Sequence, residues 1–288
     1  MSTSRTFLVA ARDLDSSRLA VERARLLARA RDRIILVHVE RKILLPLGAH
    51  EARHAIPDAA LSIGTAKTWL DELAQSVASD ASIEIETVVL EGRAGTVISD
   101  FAREVGACAI LVAAHRPGIM RAMVFGSTAL RILRFAPCPV VVVRDSKVTA
   151  YQSAVLAVDL DPAAARVIAA AQNLLPKAQA SLLHVYRLVG EGQMRLRGLT
   201  EQDLVPLREQ ALANAEREMA QLGAQIPLAN VSLEVGFAGS AIFEFITRQH
   251  SNVLVISQHR GSLLEERTLG SVTQFLLYNS PCDLILVP

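Results

Sequence analysis

The stretch AAHRPGIMRAMVFGSTALRILRFAPCPVVVVR, residues 113–144, decides the fold because the chain contains it twice. The second copy is SQHRGSLLEERTLGSVTQFLLYNSPCDLILVP, residues 257–288. The copies align without a gap, and each shared His-Arg, Gly-Ser and Pro-Cys pair recurs after 144 positions, as in 282 − 138 for the cysteines. Such a repeat indicates that the chain is a duplication.

Each copy has the plan of a parallel crossover unit. An apolar run (108–114 or 252–257) leads through a loop to Gly-Ser and a helical pattern, and a second apolar run (140–143 or 284–287) follows. Strand, loop, helix and strand in this order are typical of a parallel sheet. The Gly-Ser pair falls at the predicted helix start, where a hydroxyl can cap the helix and free amides attract anions.

Composition narrows the function classes. A length of 288 residues suits about two domains. Thirty basic and 29 acidic residues leave a net charge of +1, which argues against nucleic acid or an anionic membrane as partner. Aromatic residues make up only 4% of the chain, which argues against single-strand binding by stacking. No apolar run approaches the ~18 residues of a membrane span, so we expect no membrane insertion.

The three cysteines, Cys108, Cys138 and Cys282, lie within or beside apolar runs and form no CxxC motif. An odd number of buried free thiols is typical of a reducing compartment. We therefore expect a cytoplasmic protein.

Five strands are predicted in each half, alternating with helices. Before each repeated unit they cover 6–11, 33–39 and 83–90 in the first half, and 154–158, 181–186 and 231–235 in the second. This alternation predicts a doubly wound α/β fold. We place the domains at 1–146 and 152–288, with a short linker that should keep the halves packed together. Ser16 or Ser17 is expected to cap the first helix.

Over its whole length the chain resembles a tandem universal stress protein. The resemblance rests on the signature G-x2-G-x9-G-[ST] followed by a helix and APCPVVVVR, with LVHVE at 36–40 and LLHVY at 182–186. It implies two repeated flavodoxin- or Rossmann-like domains, each a five-stranded parallel sheet with helices on both faces. It also implies an internal pseudo-dimer, in which the last strands (140–143 and 284–287) pair about a pseudo-two-fold axis. A further homodimer and a protein partner stay open.

The resemblance also implies a binding site. In ATP-binding members an Asp after the first strand meets the nucleoside, backbone after the second strand meets adenine, and the glycine signature holds the phosphates. The matching positions in the second half are Asp159, Val185, Ser257, Arg260, Gly270 and Ser271. Those in the first half are Asp13, Val39, Ala113, Arg116, Gly126 and Ser127.

Neither half keeps the full signature. Ala113 and Ser257 replace the first glycine, and Arg116 and Arg260 replace the second. Glycine allows positive φ and close approach of backbone to phosphate. Each loss would cost about 1–3 kcal/mol, whereas a micromolar site has only about 8 kcal/mol in total. One arginine could return ~1.5–3 kcal/mol through charge-assisted bonds. The signature therefore predicts weak or absent ATP binding.

The halves also differ from each other. Aligning the first helices places Arg12 where the family has its Asp, with Asp13 one step later, whereas Asp159 aligns directly. Glu265 and Glu266 would repel phosphates in the second half unless they point away. If one half binds nucleotide, the sequence favours the second.

Structural roles compete with these functional ones. Ser127 and Ser271 are expected to be helix caps, and His38 and His184 are expected to be hydrogen-bonded histidines within strands. One histidine at each site is not a convergent ligand set, so no metal site is predicted.

Three functions follow. The favoured one is a stress-response binding or regulatory module that requires no cofactor. The alternative is a protein that binds ATP or another adenine nucleotide and hydrolyses it slowly. The third is a phosphatase, because AVDLD at 157–161 resembles the DxD nucleophile of haloacid-dehalogenase-type enzymes. That chemistry also needs a downstream lysine, and the second half has only Lys177. No catalytic residue is assigned.

Overall fold

The computed structural model describes residues 4–40, 59–77, 82–114, 126–144, 148–188, 190–224, 230–258 and 269–288. Within these ranges the chain forms ten strands and nine helices in alternation. The strands are β1 (Thr6–Ala10), β2 (Arg33–Glu40), β3 (Glu84–Glu91), β4 (Ala109–Ala113), β5 (Val140–Val143), β6 (Ser153–Ala157), β7 (Gln179–Tyr186), β8 (Asn230–Val235), β9 (Val253–Ser257) and β10 (Asp283–Val287). The helices are α1 (Leu14–Leu27), α2 (Ala59–Val77), α3 (Ala94–Glu104), α4 (Ser127–Phe135), α5 (Ala163–Leu174), α6 (Glu191–Leu196), α7 (Glu201–Gly223), α8 (Ala238–Arg248) and α9 (Ser271–Asn279).

All the described strands join in one sheet, in the order β3-β2-β1-β4-β5-β10-β9-β6-β7-β8. Each half is parallel and has the order 3-2-1-4-5 in its own numbering, which confirms the predicted doubly wound α/β fold. Such an order changes direction between the first and fourth strands, and ligands of doubly wound folds bind at that switch point.

Both faces of the sheet are covered, which explains why the strands read as nearly continuous apolar runs. Helices α1, α2, α5 and α7 contribute buried residues to the core on one face, including Val21, Leu70 and Met219. Helices α3, α4, α8 and α9 build the core on the other face, including Ile132 and Leu276.

The two halves meet at the centre of the sheet. β5 pairs antiparallel with β10, with Val141 opposite Ile285. Every other strand pair in the described sheet is parallel. The expected pairing of the last strands about a pseudo-two-fold axis is therefore present within one chain.

The starts of three helices differ from the sequence-based prediction. Asp13, not Ser16 or Ser17, is the N-cap of α1, because its carboxylate accepts a hydrogen bond from the Ser16 N–H at 2.9 Å. The prediction that Ser127 and Ser271 cap their helices was also wrong. The N-cap positions of α4 and α9 are the glycines before them, and neither cap has a side-chain hydrogen bond.

The second half contains a short helix, α6, that the sequence did not predict. Exposed and half-buried ion pairs join it to α7, among them Arg208 with Glu191 and Arg195 with Glu201. Isolated six-residue helices are marginal, so such tertiary contacts decide whether they form. No helix in the described part of the chain is long and apolar enough to cross a membrane.

Candidate functional site

A cavity opens in each half at the carboxyl ends of its strands, next to the switch point. The second-half cavity has a volume of about 230 Å³ and the first-half cavity about 220 Å³. The two cavities are therefore nearly equal in volume, and they differ in the side chains that line them.

The second-half cavity is apolar at its base and polar at its rim. Its floor and walls come from β6, β7, β9 and α8, and the rim from Asp159 and the start of α9. The lining residues are Ala157, Val158, Asp159, Leu183, Val185, Ala238, Ile242, Ile256, Ser257, Gly270, Ser271, Val272 and Thr273. Five of the six residues predicted for this half thus lie around one space, and the sixth, Arg260, lies outside the described residues.

The first-half cavity has a different rim. Its described lining residues are Ala10, Arg12, Ser16, Val112, Ala113, Gly126, Ser127, Thr128, Ala129 and Ile132. Ala113, Gly126 and Ser127 were predicted for this site, but Asp13 and Val39 are absent from its lining. Val39 packs against the core on that face of the sheet, as Val185 does in the second half.

Equivalent hydrogen bonds show that Arg12 occupies the place of Asp159. The Ala11 N–H donates to the carbonyl of β2 residue 37 at 2.8 Å, and the Val158 N–H donates to that of β7 residue 183 at 2.9 Å. The Ala11 and Val158 carbonyls then accept from Nδ1 of His38 (2.9 Å) and His184 (2.8 Å). Because the next residues are Arg12 and Asp159, one cavity has a cation where the other has an anion.

Asp13 is committed to its helix and to Arg12. It accepts from the Ser16 N–H and from Arg12 Nε at 2.8 Å, in a pair that is largely exposed. Partial burial alone would raise the pKa of Asp13, but the hydrogen bonds from Ser16 and Arg12 outweigh it and lower that pKa. Asp13 was predicted to contact a nucleoside in this half. Its carboxylate caps α1 instead, because Asp13 comes one residue later in its turn than Asp159 does.

The first glycine position of the signature does not need a glycine in this fold. Ala113 and Ser257 are the last residues of β4 and β9 and hold strand pairing, Ala113 with Val143 and Ser257 with Val287. The described non-glycine residues with positive φ lie elsewhere, at Arg31 and His250. The conformational cost expected at these two positions is therefore absent, and the estimated penalty on binding falls by half.

Gly270 and Ser271 place the start of α9 at the rim of the second cavity. Gly270 is the N-cap, and its carbonyl accepts the first helical hydrogen bond, from Gln274 N–H at 2.9 Å. The preceding amides of such a helix have no intrahelical acceptor, and they carry the positive end of the helix dipole. The rim thus offers amide donors beside Ser271 and an acceptor at Asp159.

Several predicted residues fall on segments that are not described, within the loop after each fourth strand. They are Arg116, Arg260, Glu265 and Glu266. The apolar lining of Leu183, Ala238, Ile242 and Ile256 was not predicted as part of a site. These residues lie in short apolar runs at strand ends and helix starts. In the sequence such runs look the same as those of ordinary core residues.

Neither thiol chemistry nor metal binding has support in the described residues. Burial raises the pKa of Cys108 and Cys138 to about 12 and that of Cys282 to about 11, so their thiols stay protonated and unreactive at neutral pH. No group of three His, Cys, Asp or Glu side chains is placed to hold a metal ion within the described ranges.

A family model matches both halves of the chain, over residues 3–144 and 150–288, and its description is the universal stress protein family. The chain belongs to the universal stress protein family. A curated relative, universal stress protein Sll1654 of Synechocystis sp., is 32% identical over 138 residues, which cover 45% of this chain and 81% of the relative. The resemblance noted in the sequence is thereby confirmed, including its tandem arrangement.

Solved structures of universal stress proteins share the tandem fold. One from Archaeoglobus fulgidus superposes with a TM-score of 0.68 at 14% identity and covers 99% of both chains. A putative universal stress protein from Pseudomonas aeruginosa gives a TM-score of 0.64 at 17% identity and covers 99% of this chain and 93% of its own. At these identities the likeness shows the fold alone, so the role of the cavities depends on their own residues.

Proposed function

We propose that this universal stress protein is a stress-response binding module whose second half takes an adenine nucleotide and whose first half does not. The observation that carries the proposal is the second cavity, where Asp159 and the start of α9 border an apolar space at the switch point of the sheet. The nucleoside would enter the apolar part, and the phosphates would lie at the Gly270–Ser271 amides.

The chemistry of the lining suits such a ligand. Val185, Ala238 and Ile242 offer apolar contacts for a flat base. The Asp159 carboxylate can accept a hydrogen bond from a ribose hydroxyl, worth about 1.5–3 kcal/mol for a charged partner. The amides at Gly270 and Ser271 and the helix dipole favour phosphate by ~0.3–2 kcal/mol.

Binding rather than catalysis is supported by how few reactive groups line the space. Asp159 is the one ionisable side chain among the described residues of the second cavity. Lys177, the lysine that a phosphatase would need, follows α5 and precedes β7, so it lies at the opposite end of the strands from Asp159. The phosphatase alternative therefore loses its basis.

The first cavity should not take the same ligand. Arg12 stands where Asp159 would accept a hydroxyl, and a guanidinium has only donors to offer. We infer that the duplication left one binding half and one half with another role. The free, buried or half-buried cysteines support the proposal that the protein works in the reducing cytoplasm.

Isothermal titration calorimetry with ATP, AMP and adenosine tests the proposal on the full chain. We expect one molecule to bind per chain, with a free energy of about −4 to −8 kcal/mol, that is, from millimolar to micromolar affinity. Asp159→Ala should weaken adenosine and ATP alike, because the lost contact is to the nucleoside. Arg12→Ala, at the equivalent place in the other half, is the matched control and should bind as the wild type does. Absence of binding, or equal binding by Asp159→Ala, would contradict the proposal.

A further inference from the structure

The helix that begins at each cavity is held at its far end by the opposite half of the chain. α4 starts at the rim of the first cavity and α9 at the rim of the second. Carbonyl groups in the last turn of a helix lack intrahelical donors and need partners from elsewhere. For both helices, the hydrogen-bond donor comes from the other half of the chain.

Arg144 follows β5 in the first half, and its side chain hydrogen-bonds to the last turn of α9 in the second half. Its guanidinium donates to the carbonyl oxygens of Leu277, of Leu276 at 3.4 Å and of Tyr278 at 3.4 Å. The side chain is only 6% exposed. A cation at this end of a helix also interacts favourably with the helix dipole. Arg144 therefore fixes α9 from the end that does not touch the cavity.

A buried polar cluster holds Arg144 itself. Its backbone N–H donates to Asp283 Oδ1 at 2.7 Å, and Asp283 is fully buried. The other carboxylate oxygen accepts from the Tyr151 hydroxyl at 2.6 Å and pairs with Arg23 Nε at 3.0 Å. Burial raises the pKa of Tyr151 well above its usual value, so the hydroxyl remains a donor. A buried network of this kind restricts the side chains that form it.

Gln258, in the second half, makes the reciprocal contact to α4 in the first half. It follows Ser257, which lines the second cavity, and its side-chain amide donates to the carbonyl of Leu133 in the last turn of α4. Its backbone N–H donates to the carbonyl of Val287 at 2.6 Å, and the residue is 7% exposed. The wall of the second cavity is thus one residue away from the contact that holds the first-cavity helix.

The residues that make these contacts are not repeated in the other half. In the alignment Gln258 corresponds to Ala114 and Arg144 to Pro288, and neither of those has a side-chain donor. The two halves therefore anchor each other with different residues. The contacts arose after the duplication or survived in one copy only, and in either case they bind each cavity helix to the other half.

We propose that Arg144 and Gln258 are positioning residues that make the helix at each cavity depend on the opposite half. In the second part of the proposal, a ligand bound in the second cavity affects α4 through Ser257 and Gln258. The second part rests on the proposed nucleotide binding. The first part does not, because it concerns the helices alone.

Hydrogen exchange of the full chain, followed by mass spectrometry, tests the first part. Arg144→Met should speed exchange about tenfold at amides 274–277 of α9 and leave amides 130–133 of α4 unchanged. Gln258→Met should do the opposite. Arg144→Lys keeps the cation but loses the planar fork, so it should give an intermediate effect, and it serves if Arg144→Met does not fold. Faster exchange in the helix of the variant's own half, or uniformly in both helices, would overturn the proposal.

Adding ATP tests the second part. In the wild type, saturating ATP should slow exchange at 274–277 and also at 130–133, and Gln258→Met should lose only the second effect. Protection of α9 without α4 would overturn the coupling. If ATP protects neither helix while the crossed pattern of the variants appears, the nucleotide proposal fails and the positioning roles stand.

Discussion

At the end of its first strand the first half carries Arg12, and at the same place the second half carries Asp159, although the hydrogen bonds around the two are equivalent. A carboxylate accepts hydrogen bonds, whereas a guanidinium only donates them. The two cavities therefore have nearly equal volumes but carry groups of opposite charge and hydrogen-bonding character at the same place. On the proposed function, the backbone sets where a ligand lies in each half, and the side chain at the rim decides which ligand it is.

A second contrast lies in how the cavity helices pack on their neighbours. Gly95 in α3 faces Arg131 of α4, and Gly239 in α8 faces Phe275 of α9. A Cβ at Gly95 would lie 2.5 Å from Arg131 Cβ, which is fixed to the helix backbone. A Cβ at Gly239 would lie 3.0 Å from the ring carbon Cδ1 of Phe275, which can turn aside. The first half is therefore the more tightly packed of the two here.

The largest effect is expected from exchanging the rim residues. Asp159→Arg should weaken ATP and adenosine binding about 10–100-fold, because a hydrogen bond to a carboxylate worth ~1.5–3 kcal/mol is lost. Arg12→Asp should add a second adenosine site, and calorimetric stoichiometry should rise from one to two. If Arg12→Asp leaves the stoichiometry at one, features other than the rim residue separate the halves.

The glycine contrast predicts the next largest effect. Gly95→Ala should lower the free energy of unfolding by about 1–3 kcal/mol, the usual cost of overpacking. Gly239→Ala should cost less than ~1 kcal/mol, because Phe275 can shift and alanine favours the helix. Urea unfolding monitored by circular dichroism compares the two. Equal losses would show that the two helix contacts are equally rigid.

Just before its second strand, the first half has an acid-sensitive ion pair that the second half lacks at the equivalent place. Asp32 pairs with Arg5 Nη2 at 2.6 Å. The second half has Ala178 in place of Asp32 and Gln152 in place of Arg5. This equivalence follows because Arg33 N–H donates to the Arg5 carbonyl, just as Gln179 N–H donates to the Gln152 carbonyl. Burial would raise the pKa of Asp32, but hydrogen bonds from Arg5 and from the Arg29 N–H outweigh it and lower that pKa.

Because the folded pKa lies below the unfolded value of about 4, Asp32 contributes stability above pH ~4 and loses it as the pH falls further. Asp32→Asn should cost about 1–2 kcal/mol at pH 7 and much less at pH 3. Thermal unfolding at both pH values measures this. A constant difference between variant and wild type across that range would contradict it.

The smallest contrast is between Cys138 and Cys282, which are equivalent in the two halves. Because burial raises the pKa of both thiols, to about 12 and about 11, both should react with iodoacetamide far more slowly at pH 8 than a free cysteine. Mass spectrometry of the folded protein should find them unlabelled, with urea-unfolded protein as the control. Rapid labelling of one alone would indicate that its half opens locally.

Much of the fold could be predicted because its signals are local and repeated. The apolar runs and the ungapped repeat were enough for the strands and the doubly wound α/β class, and the family resemblance supplied the pairing of the last strands. The family resemblance indicated Asp159, Val185, Ser257, Gly270 and Ser271, and these residues do line one cavity, but their role in binding stays a prediction. Asp13 and the strain expected at the first glycine position could not be predicted, because they depend on a one-residue shift in a turn and on the φ of one strand end.

What the amino-acid sequence by itself determined is the scaffold: two copies of one doubly wound unit, because periodicity, turn residues and the repeat all act over short stretches of chain. What only the tertiary structure decided is how the halves hold each other. Arg144 and Gln258 meet their partners across more than a hundred residues of chain, where no periodicity operates. Their one signal in the sequence is that they break the repeat, and the physical reason is that a buried donor is defined by the carbonyl it finds in space.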